Sequence, residues 1–263
     1  MMIRAGLLAC CVMLAGCFGT SYNTATQQQE YTITSTDKEV AMGRKLARRV
    51  EQELELVQDE AVQERVRTIG QRLAAVCDRR ELLYTFRVVA EDDVNAFSLP
   101  GGYAFVNEGL IKQAHGDDEL ASVLGHEIAH IAARHAVKRY ETNLGAQLLQ
   151  VATIAAARGG AAAAGTGVAF QAARLAYARQ DELEADRLSV RYLKAAGYDP
   201  KAAISFLERL QAIHRKEQPR YLPRGVTRPE YAMTHPYVPD RIRAVKEELF
   251  GVADYVDYLN TGR

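Results

Sequence analysis

The chain has 263 residues, of which 48% are hydrophobic and 25% charged, a globular composition that excludes a disordered or fibrous protein. Its 33 basic residues balance 33 acidic ones, so no excess positive charge is present to bind nucleic acid or an anionic membrane surface. A chain of this length can bury enough surface to fold around one core without disulfide bonds, so a single domain is expected.

The first 17 residues have the pattern of a bacterial lipoprotein leader. A basic start with Arg4 precedes an uncharged apolar run over residues 5–16, which is too short to span a membrane. The run ends in the tetrapeptide LAGC, which resembles a lipobox, so Cys17 is expected to become the lipid-modified N-terminus. Phe18 follows in place of Asp, which by resemblance to lipoprotein sorting rules indicates the outer membrane of a Gram-negative cell.

The remaining chain is polar at first and globular afterwards. Residues after Cys17 are rich in Thr, Gln and Ser, which predicts a flexible tether. Cys77 is the cysteine that remains beyond the anchor, and we expect it to be a small buried hydrophobe. The predicted division is a signal peptide at 1–16, a tether at 17–36, a domain at 37–250 and a C-terminal tail at 251–263.

Hydrophobic periodicity predicts a mainly helical domain with a small sheet. Thr36 or Asp37 can cap a helix whose apolar residues continue to Leu54, and a second helical pattern runs from Val62 to Val76. Later helices are predicted at about 117–140, 143–157, 168–196, 200–216 and 239–249. Short strands are predicted at 83–90, 94–98 and 102–106, the last two around Pro100-Gly101-Gly102. The fold class is therefore α+β.

Residues 144–176 are crowded with Ala and interrupted by Gly pairs. Neither half reaches membrane-spanning length, so the pattern predicts a helical hairpin with a mobile Gly-rich tip. An interfacial lid near lipid is the alternative, because the tether would hold this segment close to a membrane.

Residues 126–130 read His-Glu-Ile-Ala-His, the HExxH pattern. Residues four apart on a helix share a face, so His126 and His130 can bind one Zn²⁺. Glu127 lies beside them, placed to act as the general base on a water molecule. The alternative is two core histidines satisfied by hydrogen bonds, against which the spacing and the apolar helical context favour a metal site.

A catalytic zinc needs a third protein ligand. His135 misses the metzincin spacing by one residue, because that pattern requires a histidine where Ala136 stands, so His135 is predicted to cap the C-terminal end of its helix. Glu182 and Asp186, four residues apart, are the better candidates: one carboxylate can bind zinc while the other fixes the tautomer of a ligand histidine. By composition alone such an acidic cluster is usually a solvated helix face, and its pairing with HExxH favours the metal site.

Together these motifs closely resemble the HtpX-like and CaaX-prenyl-protease-like zinc metallopeptidases, a gluzincin family, and within it the soluble exported BepA/LoiP-like lipoprotein branch. The resemblance covers residues 37–250. Its marks are Asn95-Ala96-Phe97, Pro100-Gly101-Gly102, the segment from Leu124 to His130, the ExxxD segment from Glu182 to Asp186, and Thr234-His235-Pro236 with Arg241.

The resemblance implies a zincin-like catalytic domain with its small β-sheet next to the active-site helix. It implies one Zn²⁺ per chain on His126, His130 and Glu182, with Glu127 as the general base and Asp186 behind a ligand histidine. From these 263 residues we expect neither the transmembrane segments of integral-membrane members nor the helical-repeat extension of other exported members. Neither a prenylated substrate nor a repeat-mediated partner is therefore implied.

These features predict a zinc-dependent endopeptidase of the bacterial envelope that is lipid-anchored on the periplasmic side and cleaves unfolded or misfolded envelope proteins. The strand with Asn95, Ala96 and Phe97 offers an edge to which an extended peptide can add. His235 is expected to donate to the tetrahedral oxyanion, or to occupy the open zinc position and hold the enzyme inactive. Its alternative is a plain loop residue before proline. Arg241 is expected to support the same oxyanion or to pair with a surface acid.

Two rival functions stay open at this point. The first is a zinc-binding lipoprotein with a chaperone-like or assembly-factor role, whose peptidase activity is latched or low. The second is a purely structural, tethered helical domain, which predicts no stoichiometric zinc.

Overall fold

The computed structural model of the chain describes residues 19–144, 178–217, 235–236 and 238–261. The strands are β1 (Gly19–Asn23), β2 (Gln28–Thr32), β3 (Thr85–Val89), β4 (Ala96–Leu99) and β5 (Tyr103–Asn107). The helices are α1 (Thr36–Glu53), α2 (Glu60–Ala74), α3 (Glu108–Gln113), α4 (Asp117–Ala132), α5 (Arg179–Ala196), α6 (Ala202–Glu217) and α7 (Val238–Thr261), and residues 135–144 are also helical. The predicted α+β class with dominant helices is confirmed.

A three-stranded sheet in the order β3-β5-β4 lies beside the helices. β3 runs parallel to β5, and β4 runs antiparallel to β5 with Phe97 opposite Phe105. Gly101 and Gly102 make the turn between β4 and β5 with φ of 76° and 104°, values that favour glycine. The three predicted strands are confirmed, with their bounds shifted by one or two residues.

The core is built around α4. Every residue of this helix from Glu119 to Ala132 is buried, because α4 packs against α2, α5 and α6 and against strand β4. A helix surrounded on all sides shows weak amphipathicity, and the polar residues of α4 from Glu119 onward are buried together with its apolar ones. The HExxH residues therefore lie at the centre of the domain, with the small sheet beside them as the resemblance implied.

Helix ends follow local capping chemistry. The side chain of Ser35 accepts a hydrogen bond from the Lys38 amide and caps α1, one or two residues before the predicted cap. Asp59 caps α2 by accepting from the amide of Ala61 at 2.9 Å. Gly197 ends α5 in the left-handed conformation with φ of 74°.

Residues 19–32 form an antiparallel β-hairpin where the sequence predicts a flexible tether. The carboxylate of Glu141 accepts hydrogen bonds from the Thr32 hydroxyl at 2.7 Å and from the Thr34 amide at 2.9 Å. Glu30 also pairs with Lys138 at 2.7 Å. These partners lie more than 100 positions away in the chain, so local composition could not reveal them. The other boundaries between leader, tether and domain stay predictions.

The remaining predictions concern the leader, the Ala- and Gly-rich segment and the C-terminal helix. The leader with Cys17 and nearly all of the Ala- and Gly-rich segment 144–176 lie outside the described residues. α7 extends past the predicted helix at 239–249 into the predicted tail, with a non-helical break at Gly251 where φ is 76°. Among the described residues, no helix combines the length and apolar character needed to cross a membrane.

Candidate metal centre

Helices α4 and α5 bring the predicted site residues together. His126, Glu127 and His130 lie on α4, and Glu182 lies on the facing side of α5. One donor atom each from His126, His130, Glu182 and His235 lies within 4.8 Å of the others, and all four side chains are buried. Among the described residues, this group has the composition and geometry to hold a metal ion.

The ring nitrogens and the carboxylate converge on one point. Nε2 of His126 lies 3.0 Å from Nε2 of His130. The two carboxylate oxygens of Glu182 each lie 3.4 Å from one of these nitrogens. Two imidazole nitrogens and a carboxylate oxygen are the ligand set of many catalytic zinc sites.

The charge of the site also fits a divalent cation. Three buried carboxylates, those of Glu127, Glu182 and Asp186, face one buried guanidinium, that of Arg241, which leaves two negative charges if the imidazoles are neutral. Buried charge without compensation is costly. Within the described residues neither carboxylate oxygen of Glu127 has a hydrogen-bond partner. A zinc ion would balance this charge, so the residues present fit the metal.

Asp186 contacts Nδ1 of His126, and Arg241 in turn binds the Asp186 carboxylate. Oδ1 of Asp186 lies 2.8 Å from Nδ1 of His126, and Arg241 donates two hydrogen bonds of 2.8 Å to the same carboxylate. Arg241 also lies 3.1 Å from Glu182 and is almost fully buried, so the predicted surface pairing is wrong. Burial and Arg241 both lower the pKa of His126, but Asp186 outweighs them and raises this pKa to about 9.

The raised pKa of His126 means that a metal ion must displace a proton from this ring, whereas two other pKa shifts favour metal binding. Burial lowers the pKa of His130 well below its ordinary value, which keeps the ring neutral. Burial alone would raise the pKa of Glu182, but the charges of His235 and Arg241 hold it well below its ordinary value. A neutral imidazole and an ionised carboxylate are the forms that offer lone pairs to a metal.

His135 does not cap its helix, and that prediction is wrong. α4 ends at Ala132, and Arg134 turns the chain with φ of 57°, so His135 begins the next helical stretch and points back toward the site. Its side chain is fully buried. Its Nδ1 lies 2.8 Å from Nδ1 of His130, and its Nε2 lies 3.0 Å from Glu184. The spacing HExxHxxxxH was the available signal, but it was read only as a failed metzincin pattern.

His235 lies inside the site and is buried. Its Nδ1 is 3.1 Å from Glu182 and 3.4 Å from Nε2 of His126, and its Nε2 is 3.4 Å from Glu127. The alternative of a plain loop residue is therefore wrong. Most of the chain around it, including residues 231–234, lies outside the described residues.

The predicted substrate strand lies at the edge of the sheet. β4, with Ala96 and Phe97, packs against α4 on one side and pairs with β5 along one edge. Its other edge has no strand partner within the part of the chain that the structure describes. Asn95 precedes the strand, is buried, and accepts a hydrogen bond from the Asn107 amide at 2.9 Å through its backbone oxygen.

The sequence of this domain matches a known family. Residues 60–249 match the family model described as Peptidase family M48. The chain belongs to peptidase family M48. M48 peptidases use zinc, so both the predicted resemblance and the predicted cofactor are confirmed.

Several curated M48 relatives align with most of the chain. It is 31% identical over 241 residues to the beta-barrel assembly-enhancing protease of Yersinia pestis, covering 86% of this chain and 48% of that protein. The protein of the same name from Escherichia coli (strain K12) is 30% identical over 219 residues, covering 79% and 43%. The mitochondrial metalloendopeptidase OMA1 of Schizosaccharomyces pombe is 30% identical over 192 residues, covering 70% and 52%. The chain thus spans about half the length of these relatives.

In this M48 chain, each acid of the cluster at 181–186 has a distinct partner. Asp181 accepts a hydrogen bond from the Ala178 amide at the start of α5. Glu182 faces the two α4 histidines, Glu184 contacts His135, and Asp186 contacts His126. The alternative of a solvated helix face does not describe this cluster.

Proposed function

We propose that this chain is a zinc-dependent endopeptidase of the bacterial cell envelope that hydrolyses unfolded or misfolded envelope proteins. The proposal rests on the buried cluster of His126, His130 and Glu182. This cluster lies next to the Glu127 carboxylate, whose oxygens have no hydrogen-bond partner among the described residues. Membership in a zinc peptidase family supports the chemistry. Two relatives named beta-barrel assembly-enhancing protease support the envelope as the site of action.

In the proposed mechanism His126, His130 and Glu182 hold the zinc ion. A zinc ion bound there would supply Lewis acidity toward the scissile carbonyl and would lower the pKa of a water molecule to about 7. The Glu127 carboxylate takes a proton from the attacking water and passes it to the leaving amine. Because both of its oxygens lack hydrogen-bond partners in the described residues, Glu127 is free to accept that proton. Asp186 keeps the His126 ring in place throughout.

The substrate class follows from the edge of β4. An extended peptide that adds to this edge forms main-chain hydrogen bonds, which demand little of its sequence. Folded β-barrels have their strands paired all round, whereas unfolded chains offer extended segments. The edge of β4 that has no strand partner among the described residues therefore supports unfolded polypeptides as substrates.

We place the protein at the periplasmic face of the outer membrane, anchored through lipid on Cys17. Strand β1 of the hairpin begins at Gly19, two residues beyond that cysteine. Tyr22 and Tyr31 on the hairpin are 61% and 76% exposed, and neighbouring Ile33 is also exposed. Tyrosine suits the boundary between lipid and water, since its ring is apolar and its hydroxyl polar. These side chains support a hairpin that lies near the membrane to which the anchor attaches.

The proposal is tested by comparing one outer-membrane β-barrel protein in two states. Purified wild-type protein with zinc should cleave the barrel protein unfolded in dilute urea and leave the same protein intact when it is folded in detergent micelles. Chelation should abolish cleavage, and added zinc should restore it. Equal cleavage of both states would contradict the substrate class, and cleavage that persists after complete chelation would contradict the zinc mechanism.

A second candidate function is favoured by His235, which occupies the place of a fourth donor. In this alternative the peptidase is latched by His235, and the protein acts mainly by binding clients or assembly partners. His235→Ala should then raise cleavage of unfolded substrate with zinc content unchanged. If His235 instead donates to the oxyanion, the same substitution lowers cleavage.

A further inference from the structure

The two histidines of the HExxH motif are supported in different ways. His126 has a carboxylate directly behind it, because Oδ1 of Asp186 lies 2.8 Å from its Nδ1. Such a carboxylate fixes the ring orientation and leaves Nε2 unprotonated for the metal. Nδ1 of His130 instead faces the ring of His135 at 2.8 Å.

The contact between these two rings determines where the protons lie. His130 offers Nε2 to the metal, so its Nδ1 carries a proton and donates. Nδ1 of His135 must then accept, which places the proton of the neutral His135 ring on Nε2. That nitrogen lies 3.0 Å from Oε2 of Glu184, an acceptor. The three groups therefore form one chain of hydrogen bonds that runs from the metal site to the surface of α5.

The structure assigns His135 and Glu184 as a relay that positions His130: Glu184 fixes the tautomer of His135, and His135 fixes the ring of His130. The relay rests on the proposed zinc ligands. It makes both metal-facing rings depend on carboxylates of α5, with His126 held directly by Asp186 and His130 held through one intervening imidazole.

The backbone before His135 is built to place this ring. Arg134 adopts a φ of 57°, a left-handed conformation that is strained for a non-glycine residue. Its guanidinium is held there by Glu39 at 3.0 Å and by the carbonyl oxygen of Thr34 at 2.6 Å. This turn brings the fully buried His135 side chain against His130, while Glu184 remains 34% exposed. Glu184 can therefore be changed with little disturbance of the core.

Zinc affinity tests the relay, measured by competition with a chromogenic chelator on full-length protein. His135→Leu should weaken zinc binding about 10- to 100-fold, the usual effect of removing such a hydrogen-bond partner. Glu184→Ala should weaken it in the same direction, and Glu184→Gln should weaken it less, since the amide oxygen can still accept. With cobalt in place of zinc, the visible absorption bands of His135→Leu should shift from those of the wild type.

The serial arrangement makes a sharper prediction. Because Glu184 acts only through His135, the double variant should bind zinc no more weakly than His135→Leu alone. Asp181→Asn is the matched control on the same helix, since Asp181 lies 3.7 Å from the His135 ring and should leave zinc affinity unchanged. Additive losses in the double variant, or equal losses in Asp181→Asn and Glu184→Gln, would overturn the relay.

The outcome for the wild type separates this inference from the proposed function. Stoichiometric zinc in the wild type, with unchanged affinity in both Glu184→Ala and His135→Leu, overturns the relay and leaves the proposed ligands standing. A wild type without stoichiometric zinc overturns the ligands and the relay together. Circular dichroism of the metal-free variants checks folding, and the partly exposed Glu184 keeps the test decisive if His135→Leu fails to fold.

Discussion

Two buried ionic clusters lie beside α4, and they differ in whether the chain satisfies its own charges. In the first, Glu39 accepts hydrogen bonds from Arg79 at 2.8 Å and from Arg134 at 3.0 Å. Arg79 also pairs with the exposed Glu81 at 2.9 Å, so two carboxylates balance two guanidiniums. In the metal site carboxylates outnumber the guanidinium, and neither oxygen of Glu127 has a hydrogen-bond partner among the described residues. A buried cluster that satisfies itself is structural, whereas one left with excess charge requires a ligand.

The two clusters meet at neighbouring residues. Arg134 belongs to the structural cluster, and the next residue, His135, reaches into the metal site. The structural cluster therefore stabilises the turn that places a metal-site side chain. Substitutions in the structural cluster should mainly change the free energy of unfolding, and substitutions in the metal site should mainly change metal binding and cleavage.

The largest effect on the metal site is expected from Glu182→Ala. Removing this carboxylate takes away a proposed ligand, so zinc affinity should fall by more than the roughly 100-fold upper range for indirect partners. The matched control is Glu184→Ala, two residues along the same helix, which should lose less. Zinc affinity measured on both variants checks the order, and the reverse order would refute Glu182 as the third ligand.

Glu39→Gln should have the largest effect on the structural cluster. It leaves Arg79 and Arg134 buried with a weakened partner, and breaking a buried ion pair in this way costs about 3–5 kcal/mol. Urea unfolding of metal-free protein measures this loss. Glu53→Gln on the same helix breaks an exposed pair with Arg49 and should cost less than about 1 kcal/mol. Equal losses in the two variants would show that the buried cluster is not structural.

Glu119→Gln should give a smaller, pH-dependent effect at the start of α4. Burial raises the pKa of Glu119, but hydrogen bonds from Arg209 and Ser205 outweigh it and lower this pKa. Because this pKa is lower in the folded protein than in the unfolded chain, where it is about 4.3, the ionised carboxylate stabilises the fold above a pH of about 4.3. That stabilisation is lost as the pH falls through the folded-state pKa. Near pH 7 the variant should therefore lose about 2 kcal/mol.

Unfolding of metal-free protein at several pH values checks the sign of the Glu119 effect. The difference between wild type and Glu119→Gln should shrink as the pH falls below about 4.3 and should vanish only below the lowered folded-state pKa of Glu119, where the wild type also loses the charge. Asp117→Asn, in the same first turn, breaks an exposed pair with Arg65 and is the control. A difference that stays constant with pH would contradict the role given to the Glu119 charge.

The sequence predicts those parts of the site that depend on helix periodicity. His126, His130, Glu182 and Asp186 come together because residues four apart share a helix face and because HExxH restricts their chemistry. His135 could not be placed this way. Its position depends on the turn at Arg134, which is held by Glu39 from a distant helix and carries no glycine to mark it.

The N-terminal hairpin likewise depends on contacts that are distant in sequence. Its polar sequence has little strand pattern, and its place is held by Glu141 and Lys138, which are remote in sequence. Most strands and helices of the domain, by contrast, were predicted to within a few residues, because their apolar periodicity reflects the core that they share. The exceptions are α3, which was not predicted, and the helix predicted at 117–140, which breaks after Ala132.

Glu127→Gln tests the central claim most directly, with zinc content and cleavage of unfolded protein measured on the same preparation. The oxygens of Glu127 have no hydrogen-bond partners among the described residues, so the variant should fold normally and retain about one zinc per chain. Loss of the general base should lower the cleavage rate by about 10²- to 10⁴-fold. Undiminished cleavage by the zinc-loaded variant would contradict the account.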